Sequence, residues 1–348
     1  MMENARSKCS IQFRTLEADS RFRSAMAIGL VAQIALLSVG TSGCMASVQS
    51  VRESAALSIS ARLGKPSGPK RSLASSGVEA ALAFGSLADG SIQIVDVLAP
   101  DSLEAARIRV EFEGEEVPLV ALSSAGGRRR LQGFFGVPFN RTPGKARVHV
   151  SLLDGAGGKT IEQADLDFES VDGNYRSETL KVDDSHVNPT PRDLKRIERE
   201  RQEIGAIYSR PSLTKYWAGP FMLPIESPFT SPFGTKRMFN GQMKSFHQGV
   251  DLKAAIGTPI RAPSGGRVAL AKDLFMTGRT VILDHGFGMF TIYAHMSRLE
   301  VKVGDEVKAG QSLGLSGMTG RASGPHLHWG AVLHGSKVNP VELTQVLE

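Results

Sequence analysis

SGPHLHWGAVLHG (323–335) opens on a Ser-Gly-Pro break, sets His326 and His328 two apart, and runs on through Trp329, Ala331 and Leu333. A Gly-Pro break before alternating residues predicts a strand. Side chains alternate along a strand, so both imidazoles leave on one side while Leu327 turns into the packing. Histidine is scarce in this chain, 8 in 348 residues. Gathering imidazoles on one buried face is costly unless a cation or hydrogen bonds compensate.

Two other segments supply partners. SFHQGVDLKA (245–254) carries His247 and Asp251. Their spacing of four fits one helix face, but Gly249 and the β-branched Val250 predict an extended path on which both side chains still converge. TIYAHMS (291–297) presents Tyr293 and His295 by strand alternation, with Ala294 turned inward. The two cysteines, Cys9 and Cys44, provide no thiolate cluster and, if the N-terminus is processed, no disulfide. Two imidazoles and a carboxylate suit zinc with an open position for water. A histidine at ligand distance is not a free base, so three of His247, Asp251, His295, His326 and His328 bind metal and two move protons. Spacing leaves open which three.

The rest of the chain frames this site. Hydrophobic residues make up 41% and glycines number 37, a globular composition rich in turns. Short alternating segments from about 84 to 185, such as ARVHVSLLDG, predict a small β-sandwich, with His149 on a polar strand face and Arg128–Arg130 in a solvated loop. TPRDLKRIERERQEIGAIYSR (190–210) reads as a helix capped by Thr190, with Pro191 in its first turn and a sparse stripe of Leu194, Ile197, Ile204 and Ile207. Residues 224–342 return to short, Gly-punctuated strands, so the fold is mainly β: an N-terminal β-sandwich and a C-terminal antiparallel domain with an open groove. The expected organisation is a signal in 1–44, a flexible tether in 45–82, the sandwich in 83–186, a connecting helix in 190–212 and the second domain in 218–348.

At the N-terminus, net positive charge precedes AMAIGLVAQIALLSVG (25–40), which is short for a bilayer span and fits a signal-peptide core. Ser42 and Gly43 before Cys44 match a lipoprotein processing site, although Thr41 stands where an aliphatic residue is usual. Lipidation at Cys44, simple secretion and an uncleaved anchor all fit. The net charge of +6 suits an anionic envelope surface, and no basic-aromatic interleaving or recognition helix points to nucleic acid.

FNGQMKSFHQGVDLKA, VILDHGFGMFTIYAHMS and ASGPHLHWGAV, with KVNPVEL behind them, resemble the lysostaphin/LytM-type peptidoglycan endopeptidases of peptidase family M23. The resemblance covers about 224–342, and the region before it is similar to the β-sandwich that precedes the peptidase in some members. It implies one zinc ion held by His247, Asp251 and His328, with His295 and His326 as the non-ligand pair that polarises water and supports the developing charge. Tyr293 is a third catalytic candidate, its hydroxyl either aimed at the oxyanion or forming a groove wall. The resemblance implies hydrolysis of peptide cross-links in peptidoglycan; the secretion signal, with no disulfide pair, makes the periplasmic side of the cell envelope the expected location, membrane-anchored or secreted. The competing expectation is a non-hydrolytic envelope regulator that activates a cell-wall amidase. Family members of that kind have lost ligands, whereas all five positions are present here.

Overall fold

The computed structural model describes residues 68–180, 189–239 and 242–347. The apolar segment at 25–40 and the Cys44 site lie outside the described residues. Among the described residues no helix is long and apolar enough to cross a membrane.

The N-terminal module is a pair of five-stranded sheets. One runs Lys70–Leu73, Val78–Leu82, Ile92–Pro100, Arg128–Gly136, Val120–Ala125, and the other Ser86–Ala88, Thr160–Val171, Gly144–Leu153, Ile108–Phe112, Glu115–Glu116. Alternation drives this pairing. In Gly144–Leu153 the side chains of Ala146, Val148, Val150 and Leu152 are buried, whereas Arg147 turns out to Asp165 and Asp167 and His149 to Asp165. Val95, Val97, Leu131 and Phe135 of the facing sheet complete the core, with the Phe112 and Phe135 rings 4.4 Å apart.

Two expectations differ from this architecture. Val78, Ala80 and Leu82 alternate into the core from the stretch expected as tether, so its Ser- and Gly-rich composition conceals an edge hairpin. Arg128–Arg130 begin a strand rather than a loop, and pair across it with Glu79, Asp101 and Asp96.

The C-terminal module is built on an antiparallel sheet in the order Phe229–Ser231, Gly249–Lys253, His326–Leu333, Met289–Met296, Gly278–Gly286, Gly266–Leu274, Glu306–Val307, with Ser336–Val338 returning along His326–Leu333. One face carries Val250, Leu252, Val281, Leu283, Tyr293, Leu327 and Trp329 into a core closed by Ile260 and Leu313 of a small three-stranded sheet. On the other face the Pro191–Tyr208 helix lays Ile204, Ile207 and Tyr208 over Leu270, Ile282, Phe290 and Val332. Thr190 caps that helix, accepting from the Asp193 amide, while Leu194 of the expected stripe points to solvent.

The modules share a core. Ile92, Ile94 and Phe134 of the sandwich pack with Leu333, Val338, Leu343 and Leu347. The buried Glu342 carboxylate accepts from the Ile92 amide at 2.7 Å, and the Asn339 amide donates to the Gly90 carbonyl.

Candidate metal centre

The central strands place the histidines by register. Gly249–Lys253 and His326–Leu333 pair so that Asp251 stands opposite His328 and Lys253 opposite His326. Across the next ladder His328 faces Ala294. Directly opposed residues share a sheet face, so Asp251, His328 and the small Ala294 lie together. His247 joins them from the turn just before its strand, still within reach because Gly249 permits close approach: a Cβ there would stand 2.4 Å from the Trp329 carbonyl oxygen and 2.8 Å from Cε1 of His328.

The result is a tight triangle. His247 Nε2 lies 2.9 Å from Asp251 Oδ1 and 2.9 Å from His328 Nδ1, and His328 Nδ1 lies 3.0 Å from Asp251 Oδ1. Among the described residues, this is a group able to hold a metal ion. His247 Nδ1 donates to the Pro232 carbonyl at 3.0 Å, which turns a lone pair on Nε2 toward the triangle. Three electron pairs this close repel one another unless a proton or a cation sits among them. Tetrahedral donors about 2.0–2.1 Å from zinc stand about 3.3 Å apart, within a few tenths of an ångström of the distances here. The donor set therefore fits zinc.

Electrostatics agree with that reading. Burial pushes the Asp251 carboxyl up, but the close approach of His247 and His328 outweighs it and holds the group well below the usual carboxylate range, as an anion. Burial lowers the His328 imidazole against the pull of Asp251. His328 is thereby kept a poor proton carrier and a good lone-pair donor.

His295 and His326 flank the triangle, their ring centroids 4.8 Å apart. His295 Nδ1 donates to the Thr319 carbonyl and His326 Nδ1 to the Gly324 carbonyl, each at 2.8 Å, which leaves both Nε2 atoms without a proton in the neutral rings. His326 Nε2 lies 3.7 Å from Asp251 Oδ1. Burial pulls His295 down to about 4, against the Thr319 carbonyl, so it is neutral at neutral pH.

Tyr293 is a correction. Its register partners are Val281 and Trp329, which puts it on the core face; it is 0% exposed, and its hydroxyl meets Thr291 Oγ1 at 2.7 Å. Strict alternation would have carried His295 to that face as well. His295 instead adopts φ 61°, a left-handed conformation that breaks the strand's alternation, beside a register shift in the ladder, and swings its ring to the metal face. Strand alternation predicts neither this turn nor the two carbonyls of Thr319 and Gly324 that orient the free imidazoles. The glycines around them, including Gly317, where a Cβ would stand 2.9 Å from the His295 carbonyl oxygen, were the available signal. His285 lies 0% exposed between the Gly265 carbonyl and Thr291, as a fold-supporting residue.

Comparison with known proteins meets this geometry at the same residues. The model of Peptidase family M23 matches 245–340, which contains His247, Asp251, His295, His326 and His328. A peptidoglycan DD-endopeptidase, ShyA of Vibrio cholerae, is 40% identical over 28% of this chain and 22% of its own length. An uncharacterized metalloprotease of Buchnera aphidicola is 36% identical over 40% of this chain and 36% of its own. The chain thus spans about a third or less of these curated relatives. The crystal structure of a candidate M23 peptidase from Pseudomonas aeruginosa superposes with a TM-score of 0.55 at 31% identity, over 74% of this chain and 94% of that one. Likeness sustained through both modules of one solved chain, with the metal triangle inside the matched segment, places this chain in peptidase family M23.

Proposed function

We propose that this chain is a zinc-dependent endopeptidase that hydrolyses amide bonds in the cross-link peptides of peptidoglycan, on the periplasmic side of the cell envelope. The observation that carries the reading is the closed triangle of His247 Nε2, Asp251 Oδ1 and His328 Nδ1, with two further imidazoles turned to it. In this assignment His247, Asp251 and His328 are the ligands of one zinc ion, and His295 and His326 act on protons. The peptidoglycan DD-endopeptidases among the relatives support the substrate class.

Zinc in such a donor set supplies Lewis acidity toward a peptide carbonyl and toward water. The protein supplies the rest. His295, neutral because it is buried, accepts a proton from water at Nε2. An imidazole that has gained that proton donates it to the departing amine nitrogen, and a protonated ring beside the scissile carbonyl lies where negative charge grows on oxygen. The carbonyls of Thr319 and Gly324 hold both rings in the orientation that presents Nε2. Tyr293 has no part in these steps.

The test is digestion of purified cross-linked peptidoglycan by the zinc-loaded chain, with His247→Ala alongside and released muropeptides read by mass spectrometry. Conversion of cross-linked dimers to monomers by the intact protein alone is the expected result, and the fragment masses name the bond. Zinc binding with unchanged sacculi overturns the endopeptidase reading in favour of the non-hydrolytic amidase regulator.

A further inference from the structure

The seat of His247 is built by a single short segment. Its amide donates to the Thr235 carbonyl at 2.9 Å, its carbonyl accepts from the Gly234 amide at 2.8 Å, and its Nδ1 meets the Pro232 carbonyl at 3.0 Å and Ser231 Oγ at 3.2 Å. All four partners lie in 231–235. What holds 231–235 therefore holds the ligand.

That segment is clasped by the sandwich and the chain leaving it. The Tyr175 ring packs against Gly234, where a Cβ would stand 2.0 Å from it and where φ is +78°. Phe233 packs against Gly90, where a Cβ would stand 2.4 Å from its ring, and makes edge contacts with Phe139 at 5.6 Å and Tyr175 at 5.9 Å. Phe139 also stacks on Phe246, the residue before His247, with ring centroids 3.9 Å apart and an interplanar angle of 16°. So the rings of Phe139 and Tyr175 grip both sides of the ligand's seat.

Asp89 ties those two rings to one point. Its buried carboxylate accepts the Asn140 amide at 2.7 Å and the Gly173 amide at 2.8 Å, and its carbonyl accepts the Tyr175 hydroxyl. Asn140 follows Phe139 directly, and Gly173 lies two residues before Tyr175. One aspartate thus sets the loops that carry both rings.

We infer that Phe139 and Tyr175, held by Asp89, are positioning residues for the metal ligand His247, which makes the sandwich module a structural part of the metal centre. This rests on the zinc-peptidase reading above. Outer partners of a ligating histidine fix its ring direction, and their loss typically lowers metal affinity about 10–100-fold. Phe139 acts one contact further out, so the lower end of that range is expected.

The test is zinc affinity of the full chain by competition with a chromophoric chelator, together with the visible spectrum of the cobalt-substituted protein. Phe139→Ala is expected to bind zinc about tenfold more weakly and to alter the cobalt band. Phe139→Tyr, which keeps the stack, restores both. Phe168→Leu provides the control: its ring contacts Phe112 and Phe135 in the sandwich core, so it lowers the melting temperature without changing zinc affinity. Unchanged affinity and spectrum in Phe139→Ala overturn the inference, as does an equal loss in Phe168→Leu, which would mark generic destabilisation. A wild-type chain that takes up no zinc overturns the peptidase reading itself, a result distinct from either.

Discussion

Replacing Gly249 by alanine tests whether the triangle depends on close strand approach. Gly249 pairs with Gly330 in the ladder, and its backbone is not in the left-handed region, so an added methyl acts by contact alone. That methyl would stand 2.4 Å from the Trp329 carbonyl oxygen, where 3.4 Å is an ordinary contact, and 2.8 and 2.9 Å from Cε1 and Nε2 of His328. About 1 Å of relief is needed. The carbonyl cannot recede freely, because the Trp329 ring behind it is 0% exposed in the core. The two strands must then part, and the methyl also presses directly on the His328 ring; both shifts carry Nδ1 away from His247 and Asp251. Overpacking of this kind costs about 1–3 kcal/mol, and a displaced ligand ring lowers metal affinity by about tenfold or more. Urea unfolding of the metal-free protein and chelator competition measure the two effects separately. Gly205→Ala, in the helix with nothing within 4 Å of the new methyl, is the reference and is expected to be neutral or stabilising by about 0.5–1 kcal/mol. A Gly249→Ala protein that matches wild type in both assays would refute the reasoning, since the register would then have slack that the contacts deny.

Tyr293→Phe is expected to leave turnover within about threefold of wild type while costing about 1 kcal/mol of stability for the bond to Thr291; a loss of about 100-fold or more, as for an oxyanion donor, would return Tyr293 to the site. His326→Ala is expected to retain zinc but lose turnover by about 100-fold or more, whereas His328→Ala loses both, and the two are separated by metal analysis beside the muropeptide assay. His285 is fully buried, and desolvation lowers it to about 4. The folded value lies below the unfolded one of about 6.5, so the unfolded chain binds the extra proton between them and stability falls as pH drops from about 6.5 to about 4. The shift amounts to about 3 kcal/mol. In metal-free protein, His285→Gln should flatten the decline in unfolding free energy between pH 7 and pH 4 by about that amount; an unchanged slope would show that the imidazole is not what titrates.

How much of this was legible in the sequence depends on what kind of rule each residue obeys. His326 and His328 obey strand alternation, and the alternation held: both reach the metal face because Asp251 and Lys253 stand opposite them. His149 and the sandwich strands are the same case. The failures fall where local backbone departs from the period. Tyr293 and His295 were read as one face, but the left-handed turn at His295 separates them, and no pattern of apolar residues announces a single positive φ at a non-glycine position. The seat of His247 was hidden for another reason. It depends on Gly90, Phe139 and Tyr175, between 72 and 157 residues away in sequence, and long-range packing leaves no periodic trace at either end. Phe246, next to the ligand in sequence, has its physical reason in the stack on Phe139. The same contacts limit how the sandwich can act on the site. A module that shares a core through Ile92, Phe134 and Leu333, and that grips 231–235 through two rings, would have to break both to move as a lid. Its effect on catalysis is therefore expected through the ligand it braces, which is why metal affinity separates the two roles more sharply than activity does.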